Sequence, residues 1–257
     1  MLAMMPLEFA GATDVGRKRD HNEDALLIVP RFNLAVVCDG MGGHQAGEVA
    51  SGIAVETVQR FFELAQDPNA TWPFGYDRQK DEPTNLLNVA VQWANQRIRE
   101  AGEAESGSRR GLGTTFVGVL VRDSRAYFGW VGDSRGYVFR RGDLRGVTSD
   151  HSLLNELIKM GRLTEDDVDN FQHKNVITRA LGMADLTAID VTPVELEPGD
   201  VCLLCSDGLT GMVSDARIAE LLARDTNLES ISRSLIDEAN TNGGIDNVTV
   251  ALVRYKP

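Results

Sequence analysis

Short continuous apolar runs alternate along the chain with longer stretches in which apolar residues recur every three or four positions. Residues 26–29 and, beyond Pro30, 34–38 form β-rich runs, the second ending at Asp39-Gly40. Residues 47–64 carry Val49, Ile53, Val55, Val58, Phe61 and Phe62 at helical spacing and predict a long helix. A loop over 66–84, marked by Pro68, Pro73, Gly75 and Pro83, precedes a second helix over 85–101, with Leu86, Leu87, Ala90, Ala94 and Ile98 on one face. Two such helices side by side make one layer. Strands return over 114–121, 125–131 and 137–141, a pattern that reads as a meander with Asp123-Ser124 and Gly132-Asp133 at its turns. Residues 150–178 are mixed and partly helical, with an acidic run at 165–169. A buried strand over 200–205 ends at Ser206-Asp207-Gly208, helices follow over 215–223 and 229–240, and a strand over 247–255 closes the chain. Helices and strands come in blocks, which predicts α+β layers rather than a doubly wound sheet. No internal repeat, low-complexity tract or linker interrupts the pattern.

A length of 257 residues with 42% hydrophobic content suits one sizeable domain with a large core, needing no disulfide or structural metal to fold. The balance of 26 basic against 38 acidic residues leaves a net charge of −12, which disfavours binding to nucleic acid or anionic lipid. Converging carboxylates would instead concentrate cations. Three cysteines, Cys38, Cys202 and Cys205, are too few for a disulfide framework and fit a reducing compartment. The first residues lack a basic region and meet Pro6 and Glu8 early, so a secretory leader is not expected. The longest apolar runs fall short of the roughly 18 residues a spanning helix needs. A cytoplasmic location is the expectation.

The acids sit in a telling place. Asp39 and Asp207 each follow an apolar strand, Asp133 follows Gly129-Trp-Val131, and Glu23-Asp24 and Asp246 each precede a strand. A single Asp-Gly is ordinarily a turn. Two of them, with Asp246-Asn247 and Glu23-Asp24, point further. Buried carboxylates repel one another unless a cation joins them, and a set of oxygens suits Mg2+ or Mn2+ rather than zinc. Other motifs carry less. Cys202-Leu-Leu-Cys205 lies inside a strand, where positions three apart face opposite ways, so both cysteines belong to the core. The glycines between Gly40 and Gly47 fail as a dinucleotide loop, because the third fingerprint position is Gln45 and Asp39 would face a pyrophosphate. His21 and His173 are read as structural or solvent-facing rather than as ligands, Trp72, Trp93 and Trp130 as packing residues, and His151 as ordering a loop near the site.

Six blocks carry a resemblance: Arg19-Asp-His-Asn-Glu-Asp24, Val36-Val-Cys-Asp-Gly-Met-Gly-Gly-His44, Gly111-Leu-Gly-Thr-Thr115, Val131-Gly-Asp-Ser-Arg135, Cys205-Ser-Asp-Gly208 and Asp246-Asn-Val-Thr249. Together and in order, over about residues 9–255, they resemble the metal-dependent protein phosphatase family, type 2C, in its bacterial form. The resemblance implies a four-layer α-β-β-α sandwich with two central antiparallel sheets, one domain over 1–257 with a flap at about 150–178. It also implies two Mn2+ or Mg2+ ions per subunit and a third, weaker site. By motif position Asp39 bridges both metals, the Gly40 carbonyl binds the second, Asp207 and Asp246 hold the first, and Glu23 with Asp24 acts on the second, partly through water. Asp133 matches the third-metal aspartate. Two cations would acidify a bridging water for in-line attack on phosphorus. Arg19 matches the phosphate-binding arginine, whose planar fork suits two phosphate oxygens.

Two positions depart from the animal pattern. Met41 stands where the general-acid histidine is found there, leaving His44 as the candidate acid, and Gly211 replaces an acidic residue, so a third metal would have fewer protein ligands. The implied function is hydrolysis of phosphoserine and phosphothreonine in proteins, opposing a bacterial Ser/Thr kinase, by a monomer. Two alternatives stay open. Relatives that act on a small antagonist protein typically lack the arginine, against which Arg19 counts, and a catalytically dead binding module would have lost ligands that are present here.

Overall fold

Every central strand is apolar on both faces, and each face packs against a different layer. In β3 (Leu34–Met41), Leu34, Val36 and Cys38 pack under helices, while Ala35 and Val37 face a second sheet. In β10 (Val201–Cys205), Val201, Leu203 and Cys205 point to another helical layer, and Cys202 and Leu204 to the inter-sheet core. The two cysteines of the Cys-Leu-Leu-Cys motif therefore lie in separate cores, as strand parity requires. The computed structural model describes residues 7–42, 46–104, 111–164, 171, 176–185 and 187–256.

One antiparallel sheet has the order β1 (Leu7–Asp14), β11 (Val248–Tyr255), β10, β7 (Arg135–Arg140), β8 (Asp143–Gly146). The other runs β2 (Asp24–Val29), β3, β5 (Phe116–Arg122), β6 (Arg125–Val131), β9 (Asp190–Glu195), with the two-residue β4 (Gly113–Thr114) paired to the end of β3. Helices α1 (Ala46–Leu64) and α2 (Glu82–Ala104) cover the second sheet. In chain order the shorter α3 (Leu153–Lys159) falls between β8 and β9, and the single turn α4 (Asp207–Thr210) follows β10. Helices α5 (Asp215–Arg224) and α6 (Leu228–Thr241) cover the first sheet. The result is the four-layer α-β-β-α sandwich that the resemblance implies, with burial of each large apolar side chain contributing about 1.5–3 kcal/mol.

The structure corrects the meander. Residues 125–131 do form a hairpin with β5, but β7 pairs with β10 and β8 in the opposite sheet. The Asp123-Ser124 turn closes a tight hairpin with Asp123 at φ 52°, whereas Gly132 at φ 108° diverts the chain from one sheet to the other. Three strands escape the hydrophobic pattern. Of the eight residues in β1 only Ala10 is fully buried, β8 is largely exposed, and β9 carries Pro193 on a sheet edge. Helix α2 also begins earlier than its apolar face suggests. Asp81 Oδ1 accepts the Thr84 N–H at 3.1 Å as an N-cap, and Pro83 sits in the first turn, where it costs no hydrogen bond.

Candidate functional site

At one end of the sandwich the inter-sheet layer keeps its alternation and changes its chemistry. Two residues along each strand, Val37 gives way to Asp39, Leu26 to Asp24, Leu204 to Ser206, Ala251 to Thr249 and Val117 to Thr115. Ser206 Oγ in one sheet donates to Asp24 Oδ2 in the other at 2.8 Å and accepts the Thr249 N–H at 3.0 Å. Thr115 Oγ1 accepts the Asp39 N–H at 2.9 Å and shares a hydrogen bond of 2.7 Å with Ser134 Oγ. Asp24 and Asp39 are direct partners in the β2–β3 ladder. Hydroxyls thus tie the two sheets together and frame the acids.

A cleft of about 450 Å³ opens over this layer, lined by Arg19, Glu23, Asp39, Gly40, Asp133, Asp207 and Asp246, with Met41, Ile177 and Met183 adding apolar surface. Asp24 lies outside that lining, with Oδ1 sealed from solvent and without a hydrogen-bond partner. His44 lies outside the described residues, as do His173 and the acidic run at 165–169. Arg19 is half-exposed and its Nη2 donates to Asp246 Oδ2 at 2.8 Å.

Both Asp-Gly pairs have a packing reason beyond a turn. A Cβ on Gly40 would sit 2.1 Å from the Gly47 carbonyl oxygen, and one on Gly208 would sit 1.9 Å from that of Asn247. Each glycine lets another segment pass against the aspartate's backbone. The Glu23 carbonyl accepts the Gly40 N–H at 3.1 Å and Ser51 Oγ at 2.6 Å, fixing the segment before β2 to β3 and α1.

Asn247 is a supporting residue whose role the sequence reading passed over. Its Oδ1 accepts the Glu23 N–H at 2.8 Å, and its Nδ2 donates to the carbonyls of Val15 and His21, each at 2.9 Å. One buried amide therefore pins the loop that carries both Arg19 and Glu23. The available signal was an asparagine directly before a buried strand, since a buried amide must find partners for all its polar atoms.

Burial dominates the electrostatics. It holds Asp39 well above the usual carboxylate range, with the charges of Asp24, Asp207, Asp133 and Asp246 adding to the effect. Burial likewise pushes Asp24 and Asp133 up to about 7. Asp207 is raised by burial and by Asp246, partly offset by a hydrogen bond with Asp39. The cluster is short of positive charge. An all-oxygen donor set, a sealed carboxylate oxygen without a partner and mutually repelling acids together fit a hard divalent cation. Among the described residues no three His, Cys, Asp or Glu side chains are gathered closely enough to close on one ion.

Comparison with known proteins gives a consistent answer. The family model for protein phosphatase 2C matches residues 15–240. The chain is 37% identical to protein phosphatase PhpP of Streptococcus pneumoniae, covering 96% of this chain and 97% of that protein. The S. agalactiae serine/threonine phosphatase superposes with a TM-score of 0.84 at 36% identity, over 97% of this chain and 100% of the other. The catalytic domain of serine threonine protein phosphatase PstP, solved in complex with two manganese ions, superposes with a TM-score of 0.81 at 32% identity, over 98% and 99% of the two chains.

Proposed function

The chain belongs to the protein phosphatase 2C family, and from that premise we propose that it hydrolyses phosphoserine and phosphothreonine in proteins with the help of two Mn2+ or Mg2+ ions and a third, weaker one. The observation that supports this best is the cleft itself: acids from five separate segments meet beside one arginine, with an excess of negative charge. When bound, such cations supply Lewis-acid polarisation of the phosphoryl group and a water acidic enough to attack at neutral pH.

The chain's own residues divide the remaining work. Asp39, framed by the acids around it, would bridge the two ions, with Asp207 and Asp246 on the first and Glu23 and the Gly40 carbonyl on the second. Asp24 supports from behind, held by Ser206. Arg19 would turn from Asp246 to the substrate, where its fork can hold two phosphate oxygens. The nearby hydroxyls of Ser206, Thr115 and Ser134 are buried and absent from the cleft lining, so they frame the acids rather than meet a substrate. His44 follows the cleft-lining Gly42 in sequence and stays the candidate general acid.

The substrates would be phosphoproteins, so the reaction that supplies them is that of a Ser/Thr kinase. No helix among the described residues is long and apolar enough to cross a membrane, and a cytoplasmic monomer is part of this reading. Ile177 and Met183 place part of the segment around 150–178 and its continuation on the cleft wall. Shortening the flap should therefore alter turnover of phosphoproteins far more than that of p-nitrophenyl phosphate; equal losses would assign it to stability instead. The decisive assay measures phosphate release from a phosphothreonine peptide with Mn2+, with and without excess chelator. Turnover only with the metal is expected, and metal-independent turnover, or none in either case, would overturn the proposal.

A further inference from the structure

His151 is an almost fully buried imidazole, 2% exposed, standing outside the cleft. Its Nδ1 accepts the Gly132 N–H at 3.1 Å, and the backbone N–H of His151 donates to the Gly132 carbonyl at 2.9 Å. One residue thus satisfies both backbone groups of the glycine that turns the chain between sheets, and the next residue is Asp133. The corner is closed from its other side too, since a Cβ on Gly132 would meet Thr115 Cγ2 at 2.7 Å. Because Nδ1 accepts from an N–H, the ring proton must lie on Nε2, which donates to Asp190 Oδ2 at 3.0 Å. Trp130 stacks on the ring with centroids 6.1 Å apart. The His151 carbonyl accepts the Thr178 N–H at 2.8 Å, beside the Ser152–Ile177 bridge. The limb that places Ile177 on the cleft wall therefore shares its anchor with the Asp133 corner.

We infer that His151 is a positioning residue for the candidate site, its neutral Nε2–H tautomer clamping Gly132 so that the Asp133 carboxylate is held at the cleft. This inference rests on the phosphatase reading only where it speaks of turnover; the clamp itself is a property of the fold. Asparagine places its Oδ1 where histidine has Nδ1 and keeps the Gly132 contact. Glutamine can reach Asp190 but offers Gly132 nothing at that position.

The test uses the full chain and the variants His151→Ala, His151→Asn and His151→Gln. On a phosphothreonine peptide at saturating Mn2+, His151→Ala and His151→Gln should lower kcat about tenfold, the small end of the range for groups that orient a metal ligand, with KM nearly unchanged. His151→Asn should stay within about threefold of the parent, and calorimetry should find the tight metal pair unchanged. In an Asp133→Ala background His151→Ala should cost nothing further, because both changes act on one carboxylate. Two measurements need no activity. Ring 15N shifts of the metal-free protein should report the neutral Nε2–H tautomer, and Gly132 amide exchange should be slow in the parent and His151→Asn and fast in His151→Gln. An Nδ1–H tautomer, equal exchange in all variants, an unchanged kcat in His151→Ala, or a full loss persisting without Asp133 would each overturn the inference. A folded parent that releases no phosphate would overturn the functional reading instead, leaving tautomer and exchange to decide the clamp.

Discussion

Strand β10 has an aspartate at each end, and the two meet opposite surroundings. Asp200, only 2% exposed, accepts Arg140 Nε at 2.9 Å and Nη2 at 2.6 Å and the Glu197 N–H at 2.7 Å. Every lone pair it needs to share has a donor, one of them charged. Asp207, at the far end, faces Asp39 and Asp246 and is raised above the usual carboxylate range by burial and by Asp246. One acid is closed by the protein's own cation; the other is open to a cation from outside. A buried carboxylate thus marks function here through what its neighbours fail to supply.

The largest contrast should come from Asp39→Asn. Losing one charge shared by both proposed metal positions should lower turnover about a thousandfold, corresponding to roughly 4 kcal/mol of barrier. The same change should raise the melting temperature of the chelated protein, because it removes repulsion with Asp24, Asp207, Asp133 and Asp246. Near-parental turnover in metal-saturating buffer would break the comparison outright.

Asp200→Asn should do the reverse. Losing the charge opposite Arg140 should cost about 2 kcal/mol of stability in denaturant titration, with kcat per folded molecule unchanged. A fall in kcat at full metal saturation would show that the two ends of β10 are not separate.

Arg19 lies between these cases, a cation lent to the open end. Arg19→Ala should lower kcat/KM for a phosphopeptide by about tenfold to a hundredfold, the range for a charged hydrogen bond, with Lys recovering part of it. Metal titration should move little. Loss of metal binding in calorimetry would instead assign Arg19 to Asp246 alone. An effect on KM only would mean ground-state binding, and an effect on kcat would mean contact in the transition state.

The layers were legible because the central strands are apolar on both faces and α1 and α2 keep one apolar stripe each. The acids were legible as carboxylates at the ends of apolar strands, Asp39 after 34–38 and Asp207 after 200–205, although the face each takes was not, since both faces of those strands are apolar. Sheet membership was not legible. Nothing local in Tyr137 or Val138 says whether the strand continues its hairpin or crosses to the other sheet, since the choice is made by the backbone at Gly132 and by contacts distant in sequence. Edge strands such as β8 bury little and leave no pattern to read. The difference between Asp200 and Asp207 was equally hidden, because each merely flanks the same apolar strand and Arg140 comes from another.

The smallest expected effect is that of Asp133, which has the burial of the open end and fewer acids around it. Burial pushes it up to about 7, with Asp207 and Asp150 adding to the shift. In the chelated protein the folded state therefore holds a proton that the unfolded chain, with an ordinary carboxyl near about 4, has already released. Stability should be greatest at the acid side of that window and fall as pH rises from about 4 to about 7. Asp133→Ala should make that fall shallower, with Asp24, Asp39 and Asp207, which burial also raises, keeping the remainder. Saturating Mn2+ should flatten it in the parent. In the loaded enzyme Asp133→Ala should lower turnover about tenfold while both tight ions stay in place, since a weak site with few carboxylates relies on water. Crystals of the variant soaked in Mn2+ should show two ions. An unchanged kcat would place Asp133 among the closed acids with Asp200, whereas an empty core pair would make it a ligand of the tight ions; either outcome refutes the weak-site assignment.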